Sequence, residues 1–301
     1  MSVVHPDQFL GLPPRKAEDA DAVVLPLPFE RTVSYGNGTW RAPRAIVDAS
    51  CQLEQFDEET LVDFETGPLI HTAPAILNDG DVGAEDYLDA IRDRVAGFRD
   101  KFILSLGGEH TVTYGVVMGL AKSPADVTVV QVDAHADLMD VLDGKKWSHG
   151  TVMRRLRDEG VRLVQVGVRS LSREEYDFAQ RDEGVTTFYA HEIGQKWDEL
   201  RKTLRQLEGD LYLSLDVDGL DPGVMPSTGA PQPNGLSWNQ VIEILREVSA
   251  SERCRFVGAD VVEYVACPHP PGCDIIAARL AAKILAYWFV GKTGRSCRDT
   301  P

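Results

Sequence analysis

Apolar and polar positions alternate along the chain in two recurring patterns. Short β-branched runs return at fairly even intervals: AVVLPLP (22–28), FILSLGG (102–108), VTVVQVD (127–133), VRLVQVG (161–167), TTFYA (186–190), LYLSLDVD (211–218) and RFVGADVVE (255–263). Short apolar runs of this kind predict buried strands. GPLIHTAPAIL (67–77) predicts a further strand, placed at an edge because its prolines cannot donate to a ladder. Between the runs, apolar residues recur at spacings of three and four, which is the helical period. These segments are PRAIVDASCQLEQF (43–56), AEDYLDAIRDRVAGF (84–98), SREEYDFAQ (172–180), WDELRKTLRQLE (197–208), SWNQVIEILREV (237–248) and DIIAARLAAKILAYWF (274–289). Pro43 opens the first of them at a first-turn position. Strand and helix alternate to the end with no Ser/Gly/Pro linker and no internal repeat. The pattern predicts an α/β fold in one domain over 1–301: a mostly parallel sheet wrapped on both faces by helices.

In open parallel sheets the ligand site lies beyond the carboxyl ends of the strands. After FILSL comes GGEHTVTYG, where Gly107 and Gly108 allow a tight turn, His110 follows, and Thr111 or Thr113 is placed to cap the next helix. After VTVVQV come Asp133, His135 and Asp137, and after LYLSL come Asp216 and Asp218. Alternate residues of extended chain point to one side, so each group converges on one spot. Two histidines and four aspartates thus gather at the same end of the sheet.

Four carboxylates crowded together repel and take up protons unless cations neutralise them, and no run of Arg or Lys lies nearby. Two divalent ions supply that charge. Nitrogen and oxygen donors without thiolate favour Mn(II), with Ni(II), Fe(II), Co(II) or Zn(II) as alternatives, over a structural zinc site. A calcium loop would need a glycine and a terminal glutamate that are missing here.

Composition changes this picture little. The chain is 43% hydrophobic and 26% charged, ordinary for a globular protein. No apolar run approaches the roughly 18 residues of a membrane span, and the N-terminus lacks the basic and apolar regions of a secretion signal. The expectation is a cytoplasmic protein without a membrane partner. A net charge of -16 disfavours nucleic acid and suits a cationic ligand, or simply solubility. The five cysteines lack C-x-x-C spacing and suit reduced thiols, with Cys267 and Cys273, flanking a Pro-rich turn, as a candidate regulatory disulfide.

GGEH at 107, DAHADL at 133, SHGT at 148, DVDGLDP at 216 and GADVVEY at 258 resemble, in order and spacing, the signatures of the ureohydrolases, the family of arginase and agmatinase. PFERTVSYGNGTWRAPRAIVDASCQLEQFDEE, SHGTVMRRL and STGAPQPNGLSW are similar to the agmatinase branch, and the resemblance runs over roughly 20–290. It implies a three-layer α/β/α fold around an eight-stranded parallel sheet, and a binuclear manganese centre that hydrolyses a guanidinium group to urea and an amine. By position it implies that His110, Asp133, Asp137 and Asp216 hold one metal and His135, Asp133, Asp216 and Asp218 the other, with Asp133 and Asp216 bridging. It assigns His149 as a proton shuttle, a task suited to imidazole, and Glu263 as the carboxylate that holds the guanidinium. Asp137 would also accept a hydrogen bond from the attacking water. A homotrimer or homohexamer is the family's usual assembly.

The sequence departs from the family at informative places. Two residues past Asp137, where arginases carry an asparagine for the substrate carboxylate, stands Met139, which has no such hydrogen bond to offer. The expected substrate is therefore a cationic guanidine with an amine tail, agmatine first, giving putrescine in polyamine biosynthesis. Guanidinobutyrase, guanidinopropionase, formimidoylglutamase and arginase activities stay open. A one-metal, deacetylase-like zinc amidohydrolase and a non-catalytic binder of polyamine precursors are the readings from other classes. Tyr264, Cys267, Pro268 and His269 would reshape the pocket rim, and Asp140, Asp143 or Trp147 would meet a cationic tail. GKTGRSCRDTP (291–301) reads as a loose polar tail.

Overall fold

The structure, a computed structural model, describes residues 4–78, 82–266 and 272–294. Its strands are β1 (Ala22–Leu27), β2 (Phe56–Asp57), β3 (Val62–Asp63), β4 (Ile70–Thr72), β5 (Phe102–Gly107), β6 (Val127–Val132), β7 (Arg162–Val168), β8 (Val185–Tyr189), β9 (Gly209–Asp216) and β10 (Cys254–Val262). The α-helices are α1 (Ala42–Ser50), α2 (Ala84–Ala96), α3 (Val112–Leu120), α4 (Val152–Asp158), α5 (Arg173–Arg181), α6 (Trp197–Gln206), α7 (Trp238–Ser249) and α8 (Cys273–Thr293).

Eight strands form one sheet in the order β4-β1-β5-β10-β9-β6-β7-β8, and every pairing in it is parallel. All eight are strands that the apolar runs predict, and β4 is the edge strand its prolines demand. Successive side chains feed opposite faces, as strand geometry requires. Val24, Leu104, Val130 and Leu213 pack under α1, α6, α7 and α8, while Val23, Ile103, Val129 and Tyr212 pack under α2, α3 and α4. The result is the expected three-layer α/β/α sandwich. No helix among the described residues is long and apolar enough to cross a membrane.

Three local expectations differ from the structure. The segment 43–56 leaves the helix at Ser50, and Phe56 instead opens the antiparallel β2–β3 hairpin, which is pinned to α8 by the buried pair Lys283 Nζ and Asp57 Oδ2 at 2.8 Å. Gly291 to Thr293 complete α8 rather than begin a tail, and residues 295–301 lie outside the described residues. Neither Thr111 nor Thr113 caps α3: Thr111 Oγ1 donates to Glu109 Oε1 (2.7 Å) and Thr113 Oγ1 to Asp260 Oδ2 (2.7 Å). Gly108 lies in the bend after β5, where a Cβ would collide with the Phe29 carbonyl.

Candidate metal centre

β5, β10, β9 and β6 are neighbours at the middle of the sheet, and their carboxyl ends deliver the site. His110 follows β5, Glu263 follows β10, Asp216 ends β9 with Asp218 just beyond, and Asp133, His135 and Asp137 follow β6. His110 Nδ1 lies 2.9 Å from Asp137 Oδ2, 3.2 Å from Asp133 Oδ2 and 3.6 Å from Asp216 Oδ2. His135 Nδ1 lies 3.0 Å from Asp218 Oδ2 and 3.7 Å from Asp133 Oδ1. Two donor groups result, His110/Asp133/Asp216 and Asp133/His135/Asp218, and Asp133 belongs to both, one oxygen turned to each histidine. Asp216 turns Oδ2 to the first group, while its Oδ1 accepts the Asp218 N–H at 2.8 Å.

Local backbone explains why these side chains meet. Asp137 and Glu263 both have left-handed backbone, φ 53° and 61°, which costs a non-glycine residue about 1–2 kcal/mol. Strain of this kind persists where its surroundings hold it. The Asp137 carbonyl accepts the N–H groups of Met153 and Arg154 at the start of α4, and Glu263 N donates to the Gly108 carbonyl. Glu263 Oε1 accepts the His110 N–H at 2.6 Å, leaving Oε2 near Gly229 on the wall of the cavity.

Buried polar residues orient the first of the two groups. Ser214 Oγ donates to Asp260 Oδ1 (2.9 Å), so at 2.8 Å from His110 Nε2 it accepts that ring's N–H. Asp260, fully buried, also accepts from Tyr212 and Thr113. The His110 Nε2 is thereby occupied, and its Nδ1, buried and without a well-directed hydrogen bond, faces the oxygens of Asp133, Asp137 and Asp216, where its lone pair could be given to a cation held among them. Gln131 Nε2 donates to Asp133 Oδ2 (2.7 Å) and its own carbonyl accepts from Gln165 (2.6 Å).

The electrostatics are those of a cation site. Burial together with the charges of Asp218 and Asp133 raises Asp216 well above the carboxylate range, and burial beside Asp133 pushes Asp137 up to about 7. Burial and Glu109 raise Glu263 in the same way. Burial by itself lowers an imidazole, yet bonds to Asp133 and Asp218 push His135 up to about 11, and Asp133 and Asp137 raise His110 well above its usual value. Without added positive charge the cluster therefore holds protons in their place. An orphaned imidazole nitrogen among carboxylate oxygens, with no thiolate, fits a pair of divalent ions.

Metal-stripped protein is expected to lose stability as pH rises above neutrality. His135 has a folded pKa of about 11 against an ordinary 6.5, so its stabilisation is complete below about 6.5 and is lost as pH rises through 11. Asp216 and Glu263, raised by burial, carry the same sign. Between pH 7 and 9 the melting temperature of chelator-treated protein should fall by roughly 2 °C or more per pH unit, since one proton is worth about 1.4 kcal/mol per unit. Added metal should restore more stability at pH 9 than at pH 7, and a flat or rising apoprotein profile would contradict this charge balance.

The model of the arginase family matches residues 20–290. The chain belongs to the arginase family. Among its relatives, an N(1)-aminopropylagmatine ureohydrolase of Thermus thermophilus is 37% identical over 284 residues, 92% of each chain. That of Synechocystis sp. is 32% identical over 279 residues, 90% of each. The agmatine ureohydrolase structure of Thermoplasma volcanium superposes with a TM-score of 0.82 at 27% identity, covering 94% of each chain. The arginase family is one of binuclear metal enzymes, and the two groups here are each able to hold an ion.

The cavity over the arginase-family centre measures about 220 Å³. His110, His135, Asp137, Asp216, Asp218, His149 and Glu263 all line it, and Asp133 lies fully buried beneath. Met139, Leu142, Leu171, Val33 and Ala230 give it apolar walls, and no Lys or Arg is among its described lining residues. The tail contacts expected from the 140–147 loop are not there: Asp140 pairs with Arg155 at 2.5 Å, Trp147 packs on Tyr114, and neither they nor Asp143 line the cavity. Tyr264 is buried, and Cys267, Pro268 and His269 lie outside the described residues, as does any disulfide to Cys273.

Proposed function

We propose that this enzyme hydrolyses the guanidinium group of a linear, amine-tailed guanidine to urea and an amine, with agmatine giving putrescine. The observation that carries the reading is the convergence, in one cavity, of two donor groups sharing Asp133 with Glu263 and His149. His110, Asp133, Asp137 and Asp216 would hold one divalent ion, and His135, Asp133, Asp216 and Asp218 the other. The native ion is Mn(II) on this reading, with Ni(II), Fe(II), Co(II) or Zn(II) as substitutes. Bound there, such a pair supplies Lewis acidity that makes water nucleophilic near neutral pH.

The remaining steps belong to side chains. Glu263, with Oε2 turned to the cavity, accepts N–H bonds from the guanidinium and presents its carbon to the water. Asp137 accepts a hydrogen bond from the attacking water and fixes its direction. His149 carries a proton to the departing amine nitrogen. Burial, then the positive charge of His110 and His135 in metal-free protein, lowers its pKa to about 4, and bound cations would act in the same direction, so near neutral pH the ring is unprotonated.

The tail preference rests on the cavity wall. A carboxylate tail would be buried with no Lys or Arg among the described lining residues to meet it, a cost of several kcal/mol, whereas Glu175 and the hydroxyls of Ser170 and Ser172 on the same wall offer acceptors to an ammonium. An amine-tailed substrate should therefore exceed arginine and 4-guanidinobutyrate in kcat/KM by at least about 100-fold. N1-aminopropylagmatine is the second reading, favoured by the names of the two relatives above. A urea-release panel over the four compounds decides; equal rates on arginine would overturn the tail assignment. We further read the protein as a cytoplasmic homotrimer or homohexamer acting in polyamine biosynthesis, and sedimentation would test the assembly.

A further inference from the structure

Glu109, within GGEH, is fully buried, yet it is assigned neither to the donor groups nor to the substrate. Four donors converge on it. Oε2 accepts the backbone N–H groups of Arg31 (2.9 Å) and Thr32 (2.7 Å), and Oε1 accepts the hydroxyls of Thr32 (2.8 Å) and Thr111 (2.7 Å). The loop carrying Arg31 and Thr32 is thereby fastened onto the turn after β5. Its other end is held by Glu30, whose Oε2 accepts from Gly38 N (2.6 Å) and Thr39 Oγ1 (2.9 Å).

Thr32 is the informative member. A hydroxyl has one proton to donate, and here it goes to Glu109. The same oxygen lies 3.1 Å from His149 Nδ1 and 3.2 Å from the His149 backbone nitrogen, so towards both it acts as acceptor. Nδ1 must then carry the ring's proton, and Nε2 keeps its lone pair. Ser34, two residues along the same loop, places Oγ 3.1 Å from Nε2 and lines the cavity with it. The two hydroxyls clasp the ring from its two nitrogens.

We propose that Glu109, acting through the Thr32 hydroxyl, is the positioning group of His149: it fixes the proton on Nδ1 and reserves Nε2 for proton transfer in the cavity. The inference rests on the shuttle role given to His149 in the proposed reaction. Nε2 accepts a proton from the reacting water, the ring is briefly imidazolium, and the same nitrogen releases a proton to the amine as its C–N bond breaks. The imidazole returns to its starting tautomer and no net proton is consumed. The Nδ1 proton stays on Thr32 throughout.

The experiment compares Thr32→Val, which keeps the shape and removes the hydroxyl, with Thr32→Ser, which keeps the hydroxyl, in otherwise wild-type and His149→Ala enzyme. Thr32→Val should lower kcat at least about 10-fold, a part of the roughly 10²–10⁴-fold that general acid–base catalysis supplies. KM and metal content should stay within about threefold, and Thr32→Ser should recover most of the loss. In the His149→Ala background Thr32→Val should change kcat less than about threefold, because the group it positions is gone. An equal loss in both backgrounds, or no loss in the first, overturns the inference. Nitrogen-15 spectra of histidine-labelled, zinc-loaded protein test it without reference to turnover: wild type should show the His149 proton on Nδ1, and Thr32→Val a mixture of tautomers. A wild-type proton on Nε2 overturns the inference even if urea is released. Failure to release urea from any guanidine, with the Nδ1 proton in place, overturns the reaction and leaves the clasp standing.

Discussion

Replacing Asp133 by asparagine is expected to lower kcat by on the order of 10³-fold or more and to reduce bound metal from two ions per chain to one or fewer. Asp133 is fully buried and is the residue common to both donor groups, with Oδ2 3.2 Å from His110 Nδ1 and Oδ1 3.7 Å from His135 Nδ1. Asparagine keeps the shape but removes a negative charge and exchanges one acceptor oxygen for a donor. Its NH₂ would point at one histidine or the other, so one group loses its shared ligand whichever way the amide turns. Lewis acidity of this kind supplies several kcal/mol, and about 4 kcal/mol corresponds to roughly 10³ in rate. Metal analysis beside single-turnover urea release checks it. A variant with two ions and near wild-type turnover would remove Asp133 from the centre.

Glu263→Gln should lower kcat/KM by about 10²–10³-fold while leaving two ions in place. The glutamine oxygen can still accept the His110 N–H that Glu263 Oε1 accepts at 2.6 Å, so the metal side of the site keeps its support. What disappears is the charge on the oxygen facing the cavity. Hydrogen bonds to charged groups contribute about 1.5–3 kcal/mol each, and a guanidinium offers two to a carboxylate. The amide also brings N–H groups against a cationic substrate. Steady-state kinetics with agmatine, alongside metal content, separates the outcomes: loss of metal with loss of rate would make Glu263 a support of the centre instead.

Much of the architecture was legible in the chain because buried parallel strands leave an unambiguous mark. Eight apolar runs became eight sheet strands, and the proline-flanked one became the edge. Helices were legible where one face meets water, as in α5, α6 and α7. α3 carries Val112, Val116 and Val117 in the interior and packs Gly115 and Gly119 against α2, where a Cβ would meet Leu88 O at 2.8 Å and Val95 Cβ at 2.7 Å. Such a helix shows no polar stripe, and α4 is too short to show a period.

The donor set was legible for a simple reason: each of its members sits within six residues of a strand's carboxyl end. The layer behind it is less conspicuous, although it leaves a signal. Ser105, Gln131, Gln165, Ser214 and Asp260 are polar residues inside otherwise apolar strand runs, and all five are fully buried. A polar side chain in such a place needs a partner: Gln165 and Gln131 lead to Asp133, Asp260 and Ser214 lead to His110, and Ser105 joins the second path through Tyr212. The clasp on His149 had no local mark at all. Thr32 meets Glu109 across 77 residues of sequence and His149 across 117, separations that only the folded sheet brings together.

The most direct test is an anomalous difference map of manganese-loaded crystals. Two peaks per chain are expected, one beside His110 Nδ1 and one beside His135 Nδ1, with the Asp133 carboxylate between them. A single peak in fully active protein, or ions bound away from these six side chains, would contradict the account.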